Sequence, residues 1–153
     1  MNIQAAASTV LHASKKRLFG RKPIYECYAK TTNVELCAVE ARVGAAIPAD
    51  LRDWLLLVGY GDINEALSFR EEWFKRLDRG PLVNTVVFAQ DILGNHYVFS
   101  VSGEISYLCR TAPEYALVAQ NFLTFITNFI EAGYSEERMI ETFRTQRYEL
   151  QSD

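Results

Sequence analysis

The stretch NTVVFAQDILGNHYVFSVSGEISYLCR, residues 84–110, decides the architecture, because it holds three apolar runs separated by two groups of turn-forming residues. In NTVVFAQD both alternations are apolar, Val86 with Phe88 and Val87 with Ala89, the pattern of a strand covered on two faces. HYVFSVS alternates cleanly, with Tyr97, Phe99 and Val101 on one face and His96, Val98 and Ser100 on the other. EISYLCR puts Ile105, Tyr107 and Cys109 on one face. A two-residue turn at Ser102-Gly103 would mix apolar and polar residues on both faces, so an odd loop is expected. That loop pairs Val101 with Ile105, Phe99 with Tyr107 and Tyr97 with Cys109, through a three-residue or bulged turn.

Outward from this meander the pattern turns helical. Thr32 and Glu35 form a capping box ahead of Leu36, Val39 and Val43, and Gly44 is the stop. Pro48 suits a first helical turn, Asp50 favours the positive end of the dipole, and Leu51, Trp54, Leu55 and Val58 form a stripe closed by Gly59 and Gly61. The spacing predicts a short charged helix over Glu71–Leu77, with Trp73, Phe74 and Leu77 as its packing face. It also predicts a long one capped by Thr111 with Pro113 and Glu114, whose apolar face runs from Tyr115 to Ile130. Gly133 stops that helix, Ser135 with Glu136 and Glu137 opens the next, and a polar tail begins at Gln146. The first 31 residues read as a helix to about Phe19 and an extended piece through IYECYA. The sum is an α+β fold, an antiparallel sheet meander flanked by helices, in one domain spanning residues 1–153.

Composition narrows the function classes. The chain is 49% hydrophobic and 23% charged, close to an average globular domain. No apolar run approaches the ~18 residues of a membrane span, so no membrane partner is expected. Cys27, Cys37 and Cys109 fit neither a disulfide framework nor a zinc site, which favours reduced thiols in the cytoplasm. The basic residues of the N-terminal segment follow its apolar stretch instead of preceding it, unlike a secretory signal. Six Lys/Arg (Lys15, Lys16, Arg17, Arg21, Lys22, Lys30) face Glu26 alone in residues 1–30, whereas the remainder holds ten basic and eighteen acidic residues. An acidic body argues against direct nucleic-acid binding and for a basic partner.

Asp91 and His96 flank an apparent tight turn in a chain with one other histidine, His12. A catalytic reading, a small hydrolase built on these two, needs a nucleophile in reach. The nearest same-face hydroxyl, Ser100, is four strand residues away, ~13 Å. A metal reading lacks an established ligand spacing, and the calcium-loop pattern fails. A hairpin explains more: Asp91 bonds turn amides while Gly94 and Asn95 tolerate positive φ. GYGD follows a helix and lacks the later Gly and Lys of a phosphate loop, so it reads as a helix stop with a turn. No catalytic constellation, cofactor set or metal set is expected. The loop after the second helix and the mouth of the hairpin are the expected partner-contact surface, with Tyr60, Asp62, Glu65, Asp91, Asn95 and His96.

These residues carry a resemblance. VEARVGAAIPADLRDWLLLVGYGD resembles the opening helix pair of the SMI1/KNR4, or SUKH, family, whose pattern E-x-x-LG-x-x-LP-x-D-x-x-x-(F/W)-L meets Glu40, Gly44, Pro48, Asp50, Trp54 and Leu55. VVFAQDILGNHYVF is similar to the family's F-A-x-D-x-x-G-x-x-Y hairpin, and QNFLTFITNFI to its S-F-x-x-F-L segment, so the likeness covers about residues 32–132. Val43 and Ile47 stand where the family usually has Leu, and GYGD replaces an Asn-Gly-Gly type turn. The resemblance implies a non-catalytic α+β domain that binds proteins. Many bacterial members look like immunity proteins that neutralise polymorphic toxins, often nucleases, while fungal relatives are regulatory hubs.

Overall fold

The computed structural model describes residues 1–150. In chain order the elements are α1 (Ile3–His12), β1 (Ser14–Lys16), β2 (Arg21–Pro23), β3 (Tyr25–Ala29), α2 (Asn33–Val43), α3 (Ala49–Val58), β4 (Tyr60–Ile63) and β5 (Leu67–Phe69). There follow a 3-10 turn (Glu71–Trp73), β6 (Lys75–Arg76), β7 (Val86–Asp91), β8 (His96–Phe99), β9 (Ile105–Leu108), β10 (Glu114–Ala119), α4 (Phe122–Glu131), α5 (Glu136–Ile140) and β11 (Gln146–Arg147). The fold is α+β. Among the described residues β3 to β11 form one nine-stranded antiparallel sheet in the order β11-β10-β9-β8-β7-β5-β4-β3, with β6 also paired to β7. β1 and β2 make a separate hairpin.

The helix ends follow their local chemistry. The Thr32 hydroxyl accepts from the Glu35 amide at 3.3 Å, and Gly44 closes α2 in the left-handed region at φ 70. The second half of the capping box is absent, because the Glu35 carboxylate accepts from the Thr31 hydroxyl instead. Pro48 sits at the N-cap of α3, one residue before the first turn. Asp50 accepts from its neighbour Leu51 N–H at 2.9 Å and from Leu123 N–H at 2.8 Å, which ties the start of α3 to the start of α4. The glutamates of α5 complement its N-terminus, where the Ser135 hydroxyl accepts from Arg138 N–H.

One face of the sheet is covered by helices. Ile3, Ala6, Ala7 and Val10 of α1, Trp54 and Leu55 of α3, and Phe122, Phe125 and Phe129 of α4 are buried in one continuous core with Ile63, Phe69, Phe88, Tyr97, Phe99, Ile105 and Tyr107 of the strands. Phe88 is the centre of the aromatic packing, 5.9 Å from both Phe122 and Phe125 between ring centroids, nearly perpendicular to each. It is the extra residue of a bulge in β7, between the Val87–Val98 and Ala89–Tyr97 pairs, so its ring and its neighbours Val86 and Ala89 all join the core.

The meander parity is as expected and its register differs by two. Phe99 pairs with Ile105, Val98 with Ser106 and Tyr97 with Tyr107, around the odd loop Val101-Ser102-Gly103, with Gly103 at φ 88. Val101 therefore lies at the corner, 95% exposed, instead of on the core face with Tyr97 and Phe99. The loop begins one residue earlier because Gly103, the residue suited to positive φ, supplies its last position.

Four expectations need correction. α1 ends at His12, and the basic run that follows is the β1–β2 hairpin, while IYECYA does form β3. GYGD is part of strand β4: Gly61 lets the β3 backbone approach so closely that a Cβ would stand 2.1 Å from the Glu26 carbonyl oxygen. Residues 67–76 are β5, a 3-10 turn and β6, since the open edge of β7 takes two short strands in place of a helix. Residues 114–119 are β10, paired to the free edge of β9, and the helix starts at Phe122, where the Asn121 side chain accepts from Thr124 N–H at 2.8 Å. The polar tail contributes β11, whose Gln146 pairs with Tyr115.

Candidate protein-binding face

Directly opposed residues trace a row across the sheet: Glu26 with Asp62, Asp62 with Ser68, Ser68 with Gln90, Gln90 with His96 and His96 with Leu108. Their strand neighbours Ile63, Leu67, Phe69 and Tyr97 are buried in the helix-covered core, so period-two alternation turns this row to the other side. Part of that side is closed. Val87 and Val98 pack with Leu82, Leu77, Leu108 and Tyr115 beneath the segment 77–85. The part around Asp62, Ser68, Gln90 and His96 is partly exposed.

Asp62 organises its end of the face, accepting from the Tyr28 hydroxyl and the Ser68 hydroxyl. Over Tyr28 lies the Arg70 guanidinium, 4.4 Å from the ring centroid and 5.2 Å from that of Trp73. Tyr28 is 42% exposed. Arg70, at the N-cap of the 3-10 turn, thus holds a cation in reach of two aromatic rings, the residue types that concentrate binding energy at protein interfaces. At the other end His96 is half-buried. Burial holds its pKa below the ordinary histidine value; Asp91 opposes that shift and the Lys75 charge adds to it.

The six expected contact residues divide. Asp62 and His96 stand on this face three strands apart, ~14 Å at the usual strand spacing. Glu65 is exposed in the β4–β5 turn, ion-paired to Lys22, whose hydrogen bond and charge hold its carboxyl below the ordinary range. Tyr60 is buried edge-on against Phe74, and burial pushes its phenol up to about 12. Asp91 and Asn95 are enclosed at 5% and 4% exposure. Asp91 Oδ1 accepts from the Leu93 and Asn95 amides and Oδ2 from Asn95 Nδ2 and the Tyr97 hydroxyl, all at 2.9–3.0 Å. Asn95 Oδ1 in turn accepts from Arg110 N–H at 3.0 Å.

Asp91 points into the core with Tyr97, whereas His96 points to the opposite side of the sheet. The two do not form a hydrogen-bonded dyad, and the His96 ring has no hydrogen-bond partner among the described residues. Among those residues no three of His, Cys, Asp and Glu converge as metal ligands would. Tyr28, Arg70, Trp73 and Lys75 were not anticipated on the face, Trp73 being expected in the core. Leu67 and Phe69 alternating with Ser68 and Arg70 is the period-two signal that would have placed Arg70 there.

Residues 30–128 match the sequence profile of the SMI1 / KNR4 family (SUKH-1). The chain belongs to this family. The matched span runs from the end of β3 through most of α4, and so includes Asp62, Arg70, Trp73 and His96 of the face. Comparison with curated proteins gave no match, and comparison with solved structures gave none either. Among the described residues no helix is long and apolar enough to cross a membrane.

Proposed function

We propose that this SMI1/KNR4 chain is a non-catalytic protein-binding domain of the cytoplasm, an immunity protein that neutralises a cognate bacterial toxin domain by direct binding. The observation that carries the reading is the partly exposed sheet face on which Tyr28, Arg70 and Trp73 stack beside Asp62, with His96 across the row. Asp62, Glu65 and His96 are the proposed direct contacts; Tyr60, Asp91 and Asn95 hold the strands and turn that display them. The acidic balance of residues 31–153 supports a basic partner, as a nuclease domain would be, with opposite charge speeding encounter. Occlusion of the toxin's active surface needs no chemistry from this chain and no cofactor.

The test is co-expression with a candidate toxin domain, sought first in the genes adjoining this one, together with titration of the two purified proteins. Rescue by the wild-type chain, lost on Trp73→Ala with Arg70→Ala at unchanged thermal stability, supports the reading. Binding that survives both changes at full affinity removes the face from it. Failure of the wild-type chain to protect removes the immunity role and leaves a regulatory scaffold.

A further inference from the structure

We propose that the β1–β2 hairpin docks this protein onto an anionic lipid surface. Among the described residues β1 and β2 pair as a separate two-stranded sheet outside the main one. Arg17 N–H donates to Gly20 C=O at 2.9 Å, which leaves Leu18 and Phe19 at the corner. They are 91% and 88% exposed. Tight turns are ordinarily built from Gly, Asn, Asp and Pro, and Gly20 at φ 78 already provides the positive-φ position. The bend therefore gives no reason for a leucine and a phenylalanine in water.

Around this corner stand Lys15, Lys16, Arg17, Arg21 and Lys22, with no acidic residue between Ser14 and Pro23. The register sets Lys15 directly opposite Lys22 and Lys16 directly opposite Arg21. Like charges facing each other across a strand pair destabilise it, so the hairpin holds a charge pattern its own folding disfavours. Relief within the chain is confined to one side. Lys15 donates to Asn64 Oδ1 at 3.0 Å and Lys22 pairs with Glu65, whereas Arg21 reaches only the neutral oxygens of Ser14. Among the described residues no carboxylate is ion-paired to Lys16, Arg17 or Arg21.

Two apolar side chains ringed by cations match an interface in which acyl chains lie beneath negative headgroups. Nucleic acid would satisfy the cations but would leave Leu18 without an apolar phase, and one phenyl ring is a poor stacking platform. The opposite charge of residues 1–30 and of the remainder orients the hairpin toward a negative surface and the body away from it. The want of a spanning run among the described residues speaks against crossing a membrane and does not bear on a peripheral contact. The hairpin meets the proposed toxin contacts only through the Lys22–Glu65 pair, and the changes below leave both of those residues in place, so the two readings can fail separately.

Sedimentation of the full chain with vesicles of phosphatidylcholine alone, and of phosphatidylcholine mixed with phosphatidylglycerol, tests it. Binding is expected to the mixed vesicles only, and to weaken as salt is raised. Leu18→Ser with Phe19→Ser should lower the partition coefficient about tenfold, and Lys16→Gln with Arg17→Gln and Arg21→Gln should lower it at least as much. Both variants change exposed residues, of the corner in the first and of the corner and its flanking strand ends in the second, and circular dichroism checks that they fold. The proposal is overturned by absence of binding to mixed vesicles, by equal binding to neutral ones, or by indifference to the Leu18 and Phe19 changes. It is equally overturned if a single-stranded oligonucleotide binds the hairpin and displaces the vesicles, or if the apolar pair instead drives self-association of the chain.

Discussion

Replacing Asp91 with alanine tests whether the hairpin carboxylate is a structural acceptor. The change removes the acceptor for four donors: the Leu93 amide, the Asn95 amide, Asn95 Nδ2 and the Tyr97 hydroxyl. Leu93 is 52% exposed, so water can replace that bond. The other three sit where the side chains are almost closed to solvent, and each buried donor left unmet costs about 1–3 kcal/mol. Allowing for partial relief by a water in the vacated space, Asp91→Ala should cost about 3–5 kcal/mol. Against a whole-domain stability of about 5–15 kcal/mol, that is a large share. At about 2–4 °C per kcal/mol for a domain of this size, the melting temperature should drop by about 10 °C. Asp91→Asn should cost less, about 2 kcal/mol: Oδ1 still accepts the two turn amides, but the new amide nitrogen faces Asn95 Nδ2. Asn95 cannot turn its oxygen inward, because that oxygen already accepts from Arg110 N–H. Urea unfolding followed by tryptophan fluorescence reads both values. A stability for Asp91→Ala within about 0.5 kcal/mol of wild type would refute the reasoning, since surface changes of no structural consequence fall in that range.

Further outcomes follow from other contacts. Gly61→Ala should destabilise by about 3 kcal/mol or more, because the new methyl group would meet the Glu26 carbonyl; an unchanged urea midpoint would mean that β3 and β4 can separate freely. Asp50→Ala should cost about 1–2 kcal/mol through loss of the link to the first turn of α4, and hydrogen exchange should show the Leu123 amide newly unprotected. For His96 the folded pKa lies below the unfolded one, so the unfolded chain takes up the proton first. Stability should fall as the pH drops through the ordinary histidine range, about 6.5, and the loss should level off below the depressed folded value. The difference between wild type and His96→Gln across that range isolates it, and parallel curves would show that the ring is not held neutral by its site.

Much of the fold could be read where local chemistry and tertiary demand agree. Gly44 stops a helix because it adopts the left-handed conformation, and the double alternation of Val86 to Ala89 reports a strand whose two sides are both covered. The α+β class and the odd meander loop follow from such agreement. Reading failed where two periods coincide. Tyr115, Val118 and Ala119 fit a helical stripe leading into Phe122, yet the unpaired edge of β9 draws residues 114–119 into the sheet. Gly59 and Gly61 resemble a helix stop followed by a turn, while Gly61 is in fact required by the proximity of β3, a long-range fact absent from its own neighbourhood in the chain. The candidate face was half legible for the same reason. His96 emerges from strand alternation, but Asp62 reads as a loop residue, and the stacking of Tyr28, Arg70 and Trp73 joins residues some forty positions apart through pairing that only the folded sheet displays.

The two short strands that share one edge of β7 have a bearing on how such domains diversify. Because β5 pairs near Asp91 and β6 near Val86, residues 70–73 are spanned like an arch whose footings are fixed at both ends, the second by the buried Phe74. Exchanging or lengthening the crown, which bears Arg70 and Trp73, leaves the register of the strands beneath untouched. Specificity can then drift from one descendant to the next while the interior, and with it foldability, is inherited intact.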